Sequence, residues 1–156
     1  MSVAAEAARR EFLTCRLGEE SYGIDILQVQ EIREVKHVTR VPHVAPYVRG
    51  VINLRGAIVP VVDLGLMFGF PEPIALEDAS AIVLNVNERL VGLVVSSVSD
   101  VLALADEEIL PAPEIAAKRI AGAISGIGAR QDGDARASVL LLDVAHIMKR
   151  IREERE

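Results

Sequence analysis

Tyr22-Gly23-Ile24-Asp25-Ile26-Leu27-Gln28-Val29-Gln30-Glu31-Ile32 and Val91-Gly92-Leu93-Val94-Val95-Ser96-Ser97-Val98-Ser99-Asp100-Val101 are one pattern written twice, 69 residues apart. Without a gap, Gly23 falls on Gly92, Ile24 on Leu93, Ile26 on Val95, Val29 on Val98, Glu31 on Asp100, Ile32 on Val101 and, further on, Pro42 on Pro111. The correspondence then continues across insertions: Gly50-Val51-Ile52 matches Gly122-Ala123-Ile124 at an offset of 72, and Asp63-Leu64 matches Asp143-Val144 at 80. The residues gained between those offsets fall on Arg130-Gln131-Asp132-Gly133-Asp134-Ala135, a loop composition. A glycine, an acid and a proline shared in register are harder to reach by chance than shared aliphatics. A period near 70 is too long for a solenoid. The chain reads as a duplicated small domain.

Within each copy the pattern is extended. Phe12-Leu13-Thr14-Cys15-Arg16-Leu17, a turn at Gly18-Glu19-Glu20-Ser21, and Tyr22 to Ile26 predict a hairpin; Ala81 to Val86, Asn87-Glu88-Arg89, and Leu90 to Val95 predict its repeat. The chain holds 20 Val and 14 Ile against 16 Leu, and β-branched side chains lose freedom in helices but pack well on a pleated surface. The expected fold class is all-β: two five-stranded units, over residues 11–80 and 81–150, each a small sandwich or barrel, with strands at the chain ends free to cross between them. A unit that small is marginal alone, so the two should share an apolar seam. Short helical turns are expected near Pro46-Tyr47-Val48 and Gly65-Leu66-Met67-Phe68. A C-terminal helix should begin at Asp143, its N-cap, because Val144, Ile147, Met148 and Ile151 follow the spacing of one helix face.

The 156 residues carry a net charge of −6, all of it in residues 71–156. With 2 Tyr, 3 Phe and no Trp, the chain has neither the basic footprint nor the stacking surface of a nucleic-acid binder. Cys15 stands alone, which excludes an intrachain disulfide and makes a reducing, cytoplasmic compartment the expectation. Met1 to Arg10 lacks the apolar core of a signal peptide, and no apolar run is long enough to span a bilayer. His37, His43 and His146 have no metal-pair spacing, there is no Gly-x-Ser-x-Gly run, and Gly122 to Gly128 lacks the phosphate-loop ending and reads as strand and bulge. Asp106-Glu107-Glu108 should open a short helical turn. No catalytic residue, metal or cofactor is expected.

Val48 to Leu64 contains two apolar strands joined by Asn53-Leu54-Arg55-Gly56, a tight turn in which glycine supplies a positive φ. Arg55 has two readings here: a solubilising charge on a hairpin, or a partner-facing cation on a rigid turn.

Glu11-Phe12-Leu13, Tyr22 to Ile26, Val29-Gln30-Glu31-Ile32, Gly50 to Gly56, Val59-Pro60-Val61-Val62-Asp63-Leu64, Val91 to Val95, Val98 to Leu102 and Pro111-Ala112-Pro113-Glu114 together resemble the CheW family of chemotaxis coupling proteins. The resemblance covers about residues 11–150. It implies two SH3-like five-stranded β-barrels around a shared apolar interior, and a non-catalytic adaptor, cytoplasmic and recruited to membrane-associated chemoreceptor arrays without inserting into the bilayer. The implied partners are the regulatory domain of the histidine kinase CheA and the helical hairpin tip of a chemoreceptor, with ring contacts between CheW copies also open. By position, Val29, Glu31, Ile32, Arg55, Val98 and Val101 correspond to the family's receptor-facing region. Thr39, Val41 and Gly56 fall near its first kinase-binding surface, and Ile115 at a second-barrel ring contact. Arg55 and Glu31, if close, would form a partly exposed ion pair. Ser96 stands where the family usually has Asp. A receiver domain fused behind the C-terminal helix is not expected. A scaffold of a non-flagellar pathway such as surface motility stays open. A barrel binding nucleic acid or oligosaccharide would need the basic, aromatic strand face that is missing.

Overall fold

The structure is a computed structural model and describes residues 9–35, 37–112, 122–132 and 135–153. Strands β1 (Arg10–Leu17) and β2 (Glu20–Asp25) form the first hairpin, turning at Gly18 with φ 59°. β2 ends at Asp25, one residue earlier than expected. The Asp25 carboxylate accepts the Leu27 N–H at 3.0 Å and opens a 3₁₀ turn over Ile26–Gln28. Next come β3 (Val29–Arg33), β4 (Val48–Leu54), β5 (Ala57–Asp63) and the short helix α1 (Leu64–Met67). The second half supplies β6 (Ser80–Val86), β7 (Arg89–Val95), β8 (Ser97–Leu104), a 3₁₀ turn at Asp106–Glu108 where the acid cluster predicts one, and β9 (Ile109–Pro111). β10 (Ile124–Asp132), β11 (Ala135–Leu142) and helix α2 (Val144–Glu153) complete it. β10 carries the expected bulge, its register shifting between Ile124 and Gly126. Of the segment expected as a loop, Arg130, Gln131, Asp132 and Ala135 are strand, with Arg130 opposite Ala137, Gln131 opposite Arg136 and Asp132 opposite Ala135; Gly133 and Asp134 lie outside the described residues.

The strands make two sheets, in the orders β8-β1-β2-β11-β10-β9 and β3-β6-β7-β5-β4. Neither sheet comes from one half of the chain. Hairpin β1–β2 leaves its own half to pair with β8 and β11, and hairpin β6–β7 pairs with β3 and β5. A border at residue 80 therefore separates the two sequence copies but not the two sheets. The exchange keeps the duplication's symmetry: in the two parallel pairings Gly23 lies opposite Leu141 and Gly92 opposite Val61, positions equivalent at offsets of 69 and 80. The physical reason is burial, since a parallel strand covered on both faces must sit inside a sheet, and each hairpin supplies its partner sheet's centre.

The core follows the same division. One large buried cluster takes Leu13, Cys15, Leu17, Tyr22 and Ile24 from the first hairpin, Ile82, Leu84, Val91 and Leu93 from the second, and Val62, Leu142, Val144 and Ile147 from the ends of both copies. This is the shared seam. Smaller clusters fill the separate interiors: Phe12, Leu104, Val139 and Leu141 in the six-stranded sheet, and Leu54, Val59 and Val83, with Val61, Ala79 and Val94, in the five-stranded one. Alternation along β5 and β11 sends Val62 and Leu142 to the seam and Val61 and Leu141 inward.

Candidate functional site

β3 and β4 are the two outer strands of the five-stranded sheet. The segment that connects them makes the link. Thr39, just beyond β3, exchanges backbone hydrogen bonds with Val51 of β4 at 2.9 and 2.8 Å. Beside this bridge the Arg55 guanidinium lies 2.6 Å from Glu31 Oε2, so the expected ion pair is present and closes the barrel from the side-chain level.

Arg55 reaches Glu31 because of its turn. Leu54 ends β4 and Ala57 starts β5, leaving Arg55 and Gly56 as a two-residue loop, both left-handed with φ 52° and 89°. That geometry matches the right-handed twist of the flanking strands. The Asn53 side chain accepts the Gly56 N–H at 3.0 Å and fixes it. A Cβ at Gly56 would meet nothing within 4 Å, so this glycine serves the backbone and leaves an open surface. Placing a non-glycine residue at positive φ costs about 1–2 kcal/mol, which the turn spends on Arg55 rather than on a second glycine.

Glu31 has a second cation that the sequence reading missed: the Arg33 guanidinium lies 3.7 Å from Oε1. The signal was available, because residues two apart on a strand share a face. Two guanidinium groups thus bracket one carboxylate, and the cluster carries a net positive charge. The Arg55 side chain keeps 72 % of its surface exposed against 22 % for Glu31, so the cation faces outward. Its electrostatic contribution to stability is about 0–1 kcal/mol. Orientation is its consequence.

The remaining expected residues fall on three surfaces. Val29 is half-buried against the shared core and Ile32 is exposed, both on β3 with Glu31. Val98, half-buried against the same core, and Val101, exposed, lie on β8, an outer strand of the other sheet. Thr39 and Gly56 flank the barrel closure, and exposed Val41 lines a groove of about 590 Å³ beyond it. Ile115 lies outside the described residues. Ser96 donates its N–H to the Arg16 carbonyl at 2.9 Å, and its hydroxyl accepts the Gly18 N–H at 3.5 Å. A serine can therefore hold the neighbouring hairpin turn without the carboxylate usual in the resembling family. Exposed Leu27, Ile58 and Leu110 were not anticipated, since apolar strand composition does not say which aliphatics stay uncovered.

Among the described residues no three His, Cys, Asp or Glu side chains group to hold a metal ion, and no helix is long and apolar enough to cross a membrane. Cys15 is fully buried, and burial pushes its thiol up to about 12, far from a reactive thiolate at neutral pH. Thr14 and Asp63 are the buried polar side chains among the described residues, and both spend their hydrogen bonds on structure.

The CheW-like domain model matches residues 11–152. The chain is 47 % identical over 127 residues to the chemotaxis protein CheW of Klebsiella aerogenes, covering 81 % of this chain and 76 % of that protein. It is 41 % identical over 107 residues to the chemotaxis protein CheW of Rhizobium meliloti, covering 69 % of each. The crystal structure of the scaffolding protein TtCheW from Thermoanaerobacter tengcongensis superposes with a TM-score of 0.76 at 28 % identity, over 86 % of this chain and 88 % of that one. The expected all-β class with two SH3-like barrels agrees with that architecture. The motifs, the two exchanged sheets and the matched span converge: the chain belongs to the CheW-like domain family, a family of chemotaxis scaffolds rather than enzymes.

Proposed function

We propose that this chemotaxis scaffold couples methyl-accepting chemoreceptors to the histidine kinase CheA in membrane-associated arrays. The observation that carries the reading is the Glu31–Arg55 pair, a cation held outward on a rigid turn and tied to the strand that carries Val29 and Ile32. A partly apolar strand edge with one oriented guanidinium suits a helix laid along it, where aliphatic anchors give area and the charge sets direction. Val98 and Val101 present the same kind of edge on β8 and complete the receptor-facing set. The kinase side is assigned to Thr39, Val41 and Gly56 around the barrel closure, with Ile115 as a second contact. Ring contacts between copies would use these same surfaces.

Calorimetry of the full chain with a receptor cytoplasmic tip, and separately with a CheA regulatory domain, tests the reading. Saturable binding to both is expected. Folded protein that binds neither would overturn it.

A further inference from the structure

The groove lined by Val41 continues on the other side of the 41–48 loop into a second cleft of about 710 Å³, the two sharing Val41, His43, Val44, Ala45 and Val48. The lobes differ in chemistry. The first is walled by exposed Ile58, 64 % accessible, with Leu90 from β7 and Met148 and Ile151 from α2. The second is walled by His37, Arg40 and Arg49. Arg89 and Arg152 also line the apolar lobe. Among the described residues no Asp or Glu lines either lobe, on a chain whose net charge is −6. The one carboxylate beneath, Asp63, is fully buried and already accepts from Arg49 at 3.3 Å and from the N–H groups of Leu66 and Ile74. Positive charge here is a local inversion of the molecule's field. His43, between the lobes, is held left-handed at φ 61°.

We propose that this bipartite groove is a docking site for an acidic, aliphatic segment of a partner protein, its aliphatic side chains entering the lobe around Ile58 and Ile151 and its carboxylates lying against Arg40 and Arg49 on one side and Arg89 and Arg152 on the other. Charge complementarity selects that class. A basic segment would bring like charges against these guanidinium groups, and an uncharged one would offer no counter-charge to Arg40, Arg89 and Arg152, whereas Arg49 already shares Asp63. The inference rests on the adaptor reading only in taking the face around Val41 as a binding face, and it adds the chemistry of what binds there.

The test uses the full chain and two synthetic amphipathic peptides with identical leucine positions, one carrying Glu and the other Lys at every polar position. Because it needs neither receptor nor kinase, its failure leaves the coupling reading standing, and failure of the coupling experiment leaves the groove result standing. The Glu peptide should bind at least about tenfold more tightly than the Lys peptide and weaken with added salt. Arg40→Glu with Arg152→Glu should cost about tenfold or more in affinity, and Ile58→Asp should abolish binding; all three residues are exposed, and an unchanged melting temperature is the check on folding. Equal affinity for the two peptides, no binding of the Glu peptide, or indifference to both variants would overturn the proposal. So would self-association of the chain alone that Ile58→Asp removes, since the occupant would then be a second copy.

Discussion

β3 and β8 are equivalent by the duplication, and each is an outer strand, yet their central acids are used in opposite ways. On β8, exposed Asp100 is tied to the neighbouring strand. The Thr14 hydroxyl lies 2.7 Å from Asp100 Oδ1 and 3.0 Å from its carbonyl oxygen, and accepts the Asp100 N–H at 3.1 Å. The lock sits at a register shift of the β1–β8 pairing between Leu13 and Cys15. On β3 the pairing with β6 shifts at the matching place, between Val29 and Glu31. There the residue 69 positions after Thr14 is Val83, which offers no hydroxyl, and Glu31 turns instead to Arg55 and Arg33. One edge spends its acid on internal satisfaction and the other on an outward cation. A molecule with near two-fold internal symmetry otherwise offers a partner two similar edges; this difference leaves one with an oriented charge.

The largest expected effect breaks a second equivalence, that of the capping acids. Asp63 and Asp143 each close a strand and cap a helix, but Asp143 accepts the His146 N–H at 3.0 Å on a half-exposed site, whereas buried Asp63 also holds Ile74 and Arg49. Asp63→Ala strands those donors and should cost about 3–5 kcal/mol. Asp143→Ala removes a cap worth about 1 kcal/mol. Thermal unfolding of both variants checks the ratio, and equal losses would show that the Asp63 network adds nothing to capping.

Next in size is a difference between the exchanged hairpins. β1–β2 buries Cys15 and Tyr22 where β6–β7 buries Leu84 and Val91. Burial raises the Cys15 thiol to about 12, and burial, then Glu20 and Cys15, raise the Tyr22 phenol. Both groups fold in their neutral form and ionise more readily in the unfolded chain. Their stabilisation is therefore full below the unfolded values and drains as pH rises toward the folded ones. For Cys15 that window runs from about pH 9 to about 12, and at about 1.4 kcal/mol per unit it amounts to roughly 4 kcal/mol. Urea titrations at rising pH should show the decline in the parent chain and a shallower one in Cys15→Val. An identical alkaline limb in both would remove the thiol from the account.

Smaller again is the Thr14 lock itself. Thr14→Val gives β1 the residue that β6 already has, leaves the Asp100 N–H without its acceptor, and should cost about 1–3 kcal/mol. The reverse change, Val83→Thr, offers Glu31 a hydroxyl and should draw it from Arg55, weakening partner binding more than stability. A neutral Thr14→Val would mean that Asp100 is held by its strand alone.

These contrasts mark where the sequence stopped being legible. Strand positions, the Arg55-Gly56 turn, the bulge near Gly126 and the α2 face follow from local spacing, and local spacing is written along one chain. The hairpin exchange is not, because equivalent strands satisfy either sheet equally well in pattern, and only packing chooses. Arg130, Gln131 and Asp132 misled for a related reason: polar residues near the end of a hairpin have the composition of a loop while keeping strand pairing. Glu31 and Arg55 were matched through the family resemblance and their contact was conditional. The Thr14 lock was out of reach, since it joins residues 86 apart through a pairing that crosses the two copies.

The smallest effect on stability should be the largest on function. Arg55→Ala and Glu31→Ala each remove a pair whose arginine is 72 % exposed, so unfolding should change by less than about 1 kcal/mol, while receptor-dependent kinase activation falls. A collapse in melting temperature would return Arg55 to a structural role. The exchange Glu31→Arg with Arg55→Glu separates the two remaining meanings of the pair. It keeps opposite charges across the barrel closure but puts the carboxylate outward and sets a new cation beside Arg33. If a partner needs only a closed barrel, the exchange rescues coupling. If it reads the outward guanidinium, the exchange fails as completely as Arg55→Ala. The exposure difference between the two side chains favours failure, because the group that faces solvent is the one an approaching helix meets first.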